Sequence, residues 1–288
     1  MKTVILTGAT GFVGRQIHRA LVADGCRVHA IIRRGSRARL DFPTHQITET
    51  DDLFACSVED WRHHLGTADM LIHAAWYVNP ADYLDSPRNL DCALGSITLF
   101  EACQLAGIRH FVGLGTCMEY APSDRPLDIA SAWGPNTVYA ASKLALYRMM
   151  QKRSETGDMH FSWCRLFYLF GEKEYPQRLV PMLHRQLRQG LPVALGSGLQ
   201  VRDFIDVADA GRMIADIALS GQQGVINICS GQPVTVRALA EKIADQYGRR
   251  DLLSFGTAAL HPRDPASVVG ICNAVAPPRT SDRHQERA

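Results

Sequence analysis

Tyr139 and Lys143 stand four residues apart in the run Tyr139-Ala140-Ala141-Ser142-Lys143, a spacing that puts both side chains on one helical face. A phenol beside an ammonium is proton-handling chemistry, because the cation favours phenolate and lowers a phenol pKa that is ordinarily about 10. Thr116 follows the strand-like run Phe111-Val112-Gly113-Leu114-Gly115. Its hydroxyl can hydrogen-bond a substrate oxygen and complete a trio for general acid–base work. A Tyr-x-x-x-Lys pair alone is a frequent accident; it gains meaning from what positions it.

What positions it begins at the N-terminus. Val4-Ile5-Leu6 has the aliphatic, β-branched look of a buried parallel strand. It breaks into Gly8-x-x-Gly11-x-x-Gly14, followed by an amphipathic stretch through Phe12, Ile17, Ala20 and Leu21. Strand, glycine turn and helix together present backbone N–H groups and a helix N-terminus to a pyrophosphate. Glycine is wanted there because a Cβ obstructs the phosphates or the packing of helix on strand. A second strand, Arg27 to Ile32, ends in Arg33 and Arg34 with no carboxylate within that strand end. Where such folds carry an acid for the ribose hydroxyls of NAD, a guanidinium suits the 2′-phosphate of NADP. NADP is therefore favoured over NAD. Ile47 marks a short third strand, and Met70-Leu71-Ile72-His73 a fourth that runs into Ala74 and Ala75; His73 alone reads as a packed core histidine. A long helix is expected from Pro87 to Gly107, a strand over Phe161–Leu166, and helices over Val207–Ser220 and Val234–Tyr247.

The sequence TGATGFVG, together with Thr116 and Tyr139-x-x-x-Lys143, resembles the short-chain dehydrogenase/reductase superfamily, and most of all its extended branch, which acts largely on nucleotide sugars. The stretch from Gln177 to Gly211 strengthens the likeness, being similar to the R-L-V/I-P…G-x-P…Q-x-R-D-F-x-x-V-x-D block of that branch. The resemblance covers about residues 1–270 and implies an α/β fold: a Rossmann-like, doubly wound parallel sheet with a small C-terminal substrate lobe. It divides the chain into a dinucleotide-binding domain over 1–165, a lobe over 166–270 with elements returning to the core, and a polar tail over 271–288 expected to be disordered. It implies cofactor contacts at Gly8, Thr10, Gly11, Phe12, Val13 and Gly14, at the Asp52-Leu53 pair beside adenine, and at Ala74 and Ala75 beside the nicotinamide ribose. Lys143 would hold that ribose and tune Tyr139. Arg202 of Gln200-x-Arg202-Asp203-Phe204 would grip a nucleotide diphosphate, with Arg178 and the backbone around Val180 nearby and Arg263 on the phosphate side. A structural ion pair of Arg202 with Asp203 or Asp206 is the plain alternative. A homodimer is implied too, through helices at about 87–106 and 138–153.

Three departures from the family pattern bear on chemistry. Cys92 stands where relatives carry an asparagine that props the active-site backbone, and Tyr168 stands where a substrate-binding asparagine often lies. Thr116 is followed by Cys117-Met118, not by the Asp-Glu pair that 4,6-dehydratases use to eliminate water; Glu119 is one position out of register. Elimination is thus disfavoured. Reduction of a 4-keto-6-deoxyhexose at C4 is preferred, against a 4-epimerase with tightly held NAD, and against a non-catalytic protein that senses NAD(P).

Composition excludes other classes. The 288 residues carry a net charge of +2 with no long basic run, which gives no footprint for nucleic acid. No stretch approaches the roughly 20 apolar residues of a membrane span, and the apolar N-terminus is cut by the glycine motif, so no signal peptide is read there. Eight scattered cysteines lack ligand spacing, which argues against a metal site and for reduced thiols in a cytoplasmic protein.

Overall fold

Strands and helices that mostly alternate build the core, in a computed structural model that describes residues 1–258 and 264–275. β1 (Thr3–Thr7) leads through α1 (Phe12–Ala23) to β2 (Arg27–Arg33), then to β3 (Gln46–Thr50), α2 (Val58–Leu65) and β4 (Met70–His73). α3 (Arg88–Leu105), β5 (His110–Thr116), α4 (Val138–Ser154) and β6 (His160–Leu166) follow. β7 (Tyr168–Phe170), α5 (Leu179–Arg188), β8 (Val193–Leu195) and β9 (Val201–Asp206) leave this core; α6 (Val207–Ser220) and β10 (Gly224–Ile228) come back to it. The chain then leaves again through β11 (Pro233–Thr235), α7 (Val236–Asp245), β12 (Leu253–Phe255) and β13 (Ser267–Val268).

The central sheet is parallel throughout, in the order β10-β6-β5-β4-β1-β2-β3. The winding direction reverses between β1 and β4, and the carboxyl ends of strands flanking such a reversal are where a doubly wound sheet binds ligands. Strands buried on both faces read as aliphatic runs, and Val4, Ile5 and Leu6 are fully buried accordingly. One face packs on α1 and α6 through Leu6, Ile17, Leu21, Ile214 and Ile217. The other packs on α2, α3 and α4 through Trp61, Leu99, Phe100, Leu146 and Trp163.

A separate apolar cluster, with Leu183 and Leu187 of α5 and Leu239 and Ile243 of α7, holds the smaller lobe around β8 and β12. The helix expected from Val234 starts two residues later. Pro233–Thr235 pairs antiparallel with β9 instead, and the Thr235 hydroxyl accepts from Ala238 N at 3.0 Å to cap the helix. Residues 271–275, assigned from composition to a disordered tail, are packed in the structure. Ile271 N donates to Leu127 O at 2.9 Å, and the Asn273 side chain both accepts from Asn227 N and donates to Val225 O, each at 2.9 Å. Short polar residues there satisfy the edge of β10, which composition does not reveal. The rest of that expected tail lies outside the described residues.

Candidate active site

The glycine turn closes against the end of β4. Gly8 has φ +73°, a left-handed conformation suited to glycine, and a Cβ on it would fall 2.7 Å from Ala75 N and 2.8 Å from the Ala74 carbonyl carbon. A Cβ on Gly14 would overlap Gly8 O. Thr7, Gly8, Ala74 and Ala75 thus form one tight junction, with Ala75 N donating to Thr7 Oγ1 at 3.3 Å. α1 begins at Phe12 with Gly11 at its N-cap and no side chain capping it. The result is a cradle of backbone N–H groups beside the carboxyl ends of β1 and β4, and it fits a pyrophosphate. Among the described residues no group of His, Cys, Asp and Glu is arranged to hold a metal ion.

At the far end of β2, which itself carries no carboxylate, acids arrive from another segment. Parallel pairing sets Arg33 opposite Thr50, so Glu49 of β3 and Asp51 just after it come to the same edge. Arg34 Nε donates to Asp51 Oδ1 at 2.5 Å, and Gly35 N donates to Glu49 Oε2 at 3.2 Å. Arg34 is engaged, and Arg33 is the exposed guanidinium with no ion pair among the described residues. Asp52 accepts from Phe54 N at 3.0 Å, forming the turn that tucks Leu53 against the core.

Thr116 is the last residue of β5, and the carboxyl end of that strand faces the start of α4. The Thr116 hydroxyl accepts from Met118 N at 3.3 Å, and Thr116 N donates to Glu119 Oε1 at 2.9 Å. Thr137 caps α4 by accepting from Ala140 N at 3.1 Å, and Tyr139 N donates to Leu84 O at 2.9 Å. These bonds fix the first turn, which carries Tyr139 to Thr116. Lys143, one turn on, is buried and donates from Nζ to Leu114 O at 2.7 Å.

The structure brings the trio together but corrects its electrostatics. The Tyr139 phenol is pushed up, not down. Burial is the main cause, aided by Tyr83, Glu119 and Cys117, while the Thr116 hydroxyl works the other way. Lys143 is itself brought down to about 7 by burial, with Glu119 opposing. Its ammonium is turned to Leu114 O and to the face of Trp76, 3.6 Å from the ring centroid. Four-residue spacing gave proximity on a helix face, whereas desolvation, invisible in spacing, sets the sign.

Around Tyr139 stand Tyr83, whose ring meets it edge-on at 5.2 Å, and Trp76 at 6.4 Å. The Cys117 thiol is buried beside them and pushed up to about 12 by that burial, so it is a neutral wall. Tyr168 completes the group, with the Arg202 guanidinium 5.1 Å from its ring centroid. Arg202 is buried, and its ion pair is with Asp264 at 2.6 Å, not with either near neighbour. Asp203 instead accepts from Ser230 and Gly231 N–H groups, and Asp206 caps α6. Arg178 is half-exposed, paired with Glu174 at 3.4 Å, and close enough to Tyr83 to act on its phenol. The Val180 side chain is core of the smaller lobe, packed with Leu183 and Leu187, which leaves its backbone, the part the resemblance implied, for a ligand. Arg263 lies outside the described residues. His73 is buried, bonded to Thr7 Oγ1 and Ser96 Oγ at 2.8 Å each, and held neutral by burial.

Sequence reading missed Trp76, Tyr83 and the partner of Glu119. The two aromatics sit in the irregular segment between β4 and α3, where no periodicity announces them. Glu119 is fully buried, pairs with Arg165 at 2.7 Å and accepts from Trp163 Nε1 at 3.1 Å.

A reversed parallel sheet with a glycine cradle at the switch point and Tyr139, Lys143 and Thr116 beside it defines a dinucleotide-dependent enzyme of the short-chain type. More narrowly, the chain belongs to the NAD dependent epimerase/dehydratase family, whose model matches residues 4–229. It is 25% identical over 271 residues to the dTDP-6-deoxy-L-talose 4-dehydrogenase (NAD(+)) of Aggregatibacter actinomycetemcomitans, covering 93% of this chain and 98% of that one. Among solved structures it is similar to UDP-N-acetylglucosamine 4-epimerase from Methanobrevibacter ruminantium M1 in complex with UDP-N-acetylmuramic acid, with a TM-score of 0.87 and 25% identity, covering 99% and 95% of the two chains. It is similar also to MoeE5 in complex with UDP-glucose and NAD, with a TM-score of 0.83 and 26% identity over 98% and 95%. Among the described residues no helix is long and apolar enough to cross a membrane.

Proposed function

We propose that this enzyme reduces the 4-keto group of a nucleoside-diphosphate 4-keto-6-deoxyhexose. The observation that carries the reading is the division of labour between Tyr139 and Glu119. Tyr139 is half-buried, and desolvation of its phenol holds it in the neutral, proton-donating form beside Thr116. Glu119 is turned away into its ion pair with Arg165, so no carboxylate pair follows Thr116 to eliminate water. The 4-dehydrogenase relative acts, by its name, at the same carbon of a 6-deoxyhexose.

The nicotinamide dinucleotide, when bound, supplies the hydride to the sugar carbon. Thr116 orients the substrate oxygen by a hydrogen bond, and Tyr139 donates its proton to that oxygen as the C–O bond becomes an alcohol. Lys143 holds the dinucleotide ribose through its ammonium, and Gly8, Thr10, Gly11, Phe12, Val13 and Gly14 seat the pyrophosphate. Asp52 and Leu53 lie beside adenine. Arg202, Arg178 and Arg263 hold the substrate diphosphate, while Cys117 and Tyr168 wall the sugar. Arg33 favours NADP through the 2′-phosphate, and the engagement of Arg34 by Asp51 opposes it. NAD is the cofactor seen with the MoeE5 relative.

Residues 1–165 serve as the dinucleotide domain and 166–270 as the substrate lobe in this reading. Two copies pair through α3 and α4, which expose Leu90, Leu94 and Met149. Eight free cysteines suit a cytoplasmic setting.

The similarity to a 4-epimerase supports a second reading, oxidation and re-reduction at C4 with retained NAD. One experiment separates them. Purified protein is mixed with NADPH or NADH and a dTDP- or UDP-4-keto-6-deoxyglucose, and nicotinamide absorbance and sugar products are followed. Stoichiometric loss of reduced cofactor with formation of a 6-deoxyhexose supports reduction. Interconversion of 4-epimers with no net cofactor change establishes the epimerase. Dinucleotide binding with neither reaction overturns both in favour of a sensing protein.

A further inference from the structure

We propose that Trp76 is a positioning residue that holds the Lys143 ammonium charged and in place beneath Tyr139. This inference rests on the reading of Tyr139 and Lys143 as the proton-handling pair.

The geometry is specific. Lys143 Nζ lies 3.6 Å from the Trp76 ring centroid, close enough for a cation over an indole face, and the site is buried. The same indole meets the Tyr139 ring edge-on at 6.4 Å. Trp76 does not float in that position. Its Nε1–H donates to Asn89 Oδ1 at 2.8 Å, and fully buried Asn89 donates its amide to Tyr83 O at 2.7 Å and Ser86 O at 2.9 Å. Asn89 therefore ties the indole to the segment whose Leu84 O receives Tyr139 N. One side chain fixes the ring over Lys143, and the same side chain fixes the loop under Tyr139.

An ammonium has three N–H donors. Leu114 O takes one and the indole face takes a second, which leaves one directed donor for a ligand hydroxyl. Without the indole face that side of the ammonium would be both desolvated and unpartnered, and its charge would be costly. The groups around it give little replacement. From β4, His73 is neutral; from α3, Cys92 is a buried thiol pushed up by desolvation. From the turn after β5, Glu119 is negative but already paired with Arg165 of β6. Trp163 of β6 is more distant, at 5.9 Å, and Tyr139 on α4 itself is neutral.

The test is titration of Lys143 by NMR in the full-length protein labelled at the lysine side-chain carbon and nitrogen, with the signal assigned by its loss in Lys143→Arg. In Trp76→Leu the midpoint is expected to fall by about one pH unit, and in Trp76→Phe by a smaller amount, because a benzene face binds a cation less strongly than indole. In turnover assays the alkaline loss of activity should move with that midpoint. Unchanged midpoints in both variants, with circular dichroism and melting showing a folded chain, overturn the proposal. If Trp76→Leu does not fold, Trp76→Phe decides alone: a lowered midpoint supports the assignment, and a wild-type midpoint overturns it. The titration uses no sugar, so an error in the substrate assignment would leave it intact.

Discussion

Glu119 and Arg165 form an ion pair 2.7 Å long in which neither side chain is exposed, and it lies directly behind Thr116. One Glu119 oxygen accepts from Thr116 N at 2.9 Å, and Trp163 Nε1 reaches the carboxylate as well. Burial pushes the Glu119 carboxyl up, while the Arg165 charge and these N–H donors pull it down. The Arg165 guanidinium is also stacked over Tyr120, 4.4 Å from its centroid. The end of β5, and with it the Thr116 hydroxyl, is thus held by a buried charge and not by the substrate.

That arrangement predicts the effect of Glu119→Gln. Removing one partner leaves an uncompensated buried guanidinium, and stability should fall by about 3–5 kcal/mol in urea unfolding. The folded fraction should still turn over, because Glu119 supplies no proton in the proposed step. Loss of turnover in a fully folded variant would return Glu119 to the chemistry.

Tyr139→Phe removes the only proton donor in the proposed step. Turnover should fall by about 10²–10⁴-fold. Dinucleotide affinity, measured by fluorescence titration, should stay within about twofold, since the phenyl ring keeps its edge contacts with Tyr83 and Trp76. Equal activity in the variant would exclude the mechanism.

How far the sequence speaks depends on which physical signal each residue carries. Val4-Ile5-Leu6, the three glycines and Tyr139-x-x-x-Lys143 are legible because buried strands, tight turns and helix faces leave local, periodic marks. The reach of Asp51, just after β3, to Arg34 is not local: it follows from strand pairing between distant segments, so Asp51 is unreadable from the sequence as a partner of Arg34. Trp76 and Tyr83 lie in an aperiodic connection whose course is set by Asn89, a residue with no pattern of its own. The upward push on Tyr139 belongs to desolvation, which only the closed fold creates.

Lys143 should make stability depend on pH. Its folded value, about 7, lies below the ordinary lysine value, so between about 7 and 10.5 the unfolded chain holds a proton that the folded chain has lost. Stability contributed by this group therefore rises with pH across that window, and the cost of burying the charge is felt in full below it. Lys143→Met removes the cost. Its melting temperature should exceed that of the wild type most clearly below pH 7, with the gap closing toward pH 10, while turnover is lost. A gap that does not change with pH would show that burial of the ammonium is not what the wild type pays.

Gly14→Ala tests the cradle. The new Cβ would overlap Gly8 O, a backbone atom that cannot step aside without moving the turn away from Ala74 and Ala75. Overpacking of this kind costs about 1–3 kcal/mol. Dinucleotide binding should fall more than stability does, because in the proposed reading the displaced turn carries the N–H groups that would meet the pyrophosphate. Calorimetric titration alongside thermal melting separates the two effects, and binding unchanged in the variant would mean the cradle has another use.

In the proposed reading, cofactor choice turns on Arg33, Arg34 and Asp51. The Arg34–Asp51 pair is largely exposed on both sides, so it adds little to stability, yet it occupies a guanidinium that could otherwise meet a 2′-phosphate. Asp51→Ala should release Arg34 and raise the NADPH-to-NADH affinity ratio several-fold, with the larger change on NADPH, since only that cofactor carries the extra anion. Arg33→Ala should lower the same ratio by about tenfold, the scale of one charge-assisted contact. The two ratios must move in opposite directions, and both changes should shrink at high salt, where exposed charges are screened. If Arg33→Ala leaves the ratio unchanged, Arg33 does not read the 2′ position, and the case for NADP loses its main support.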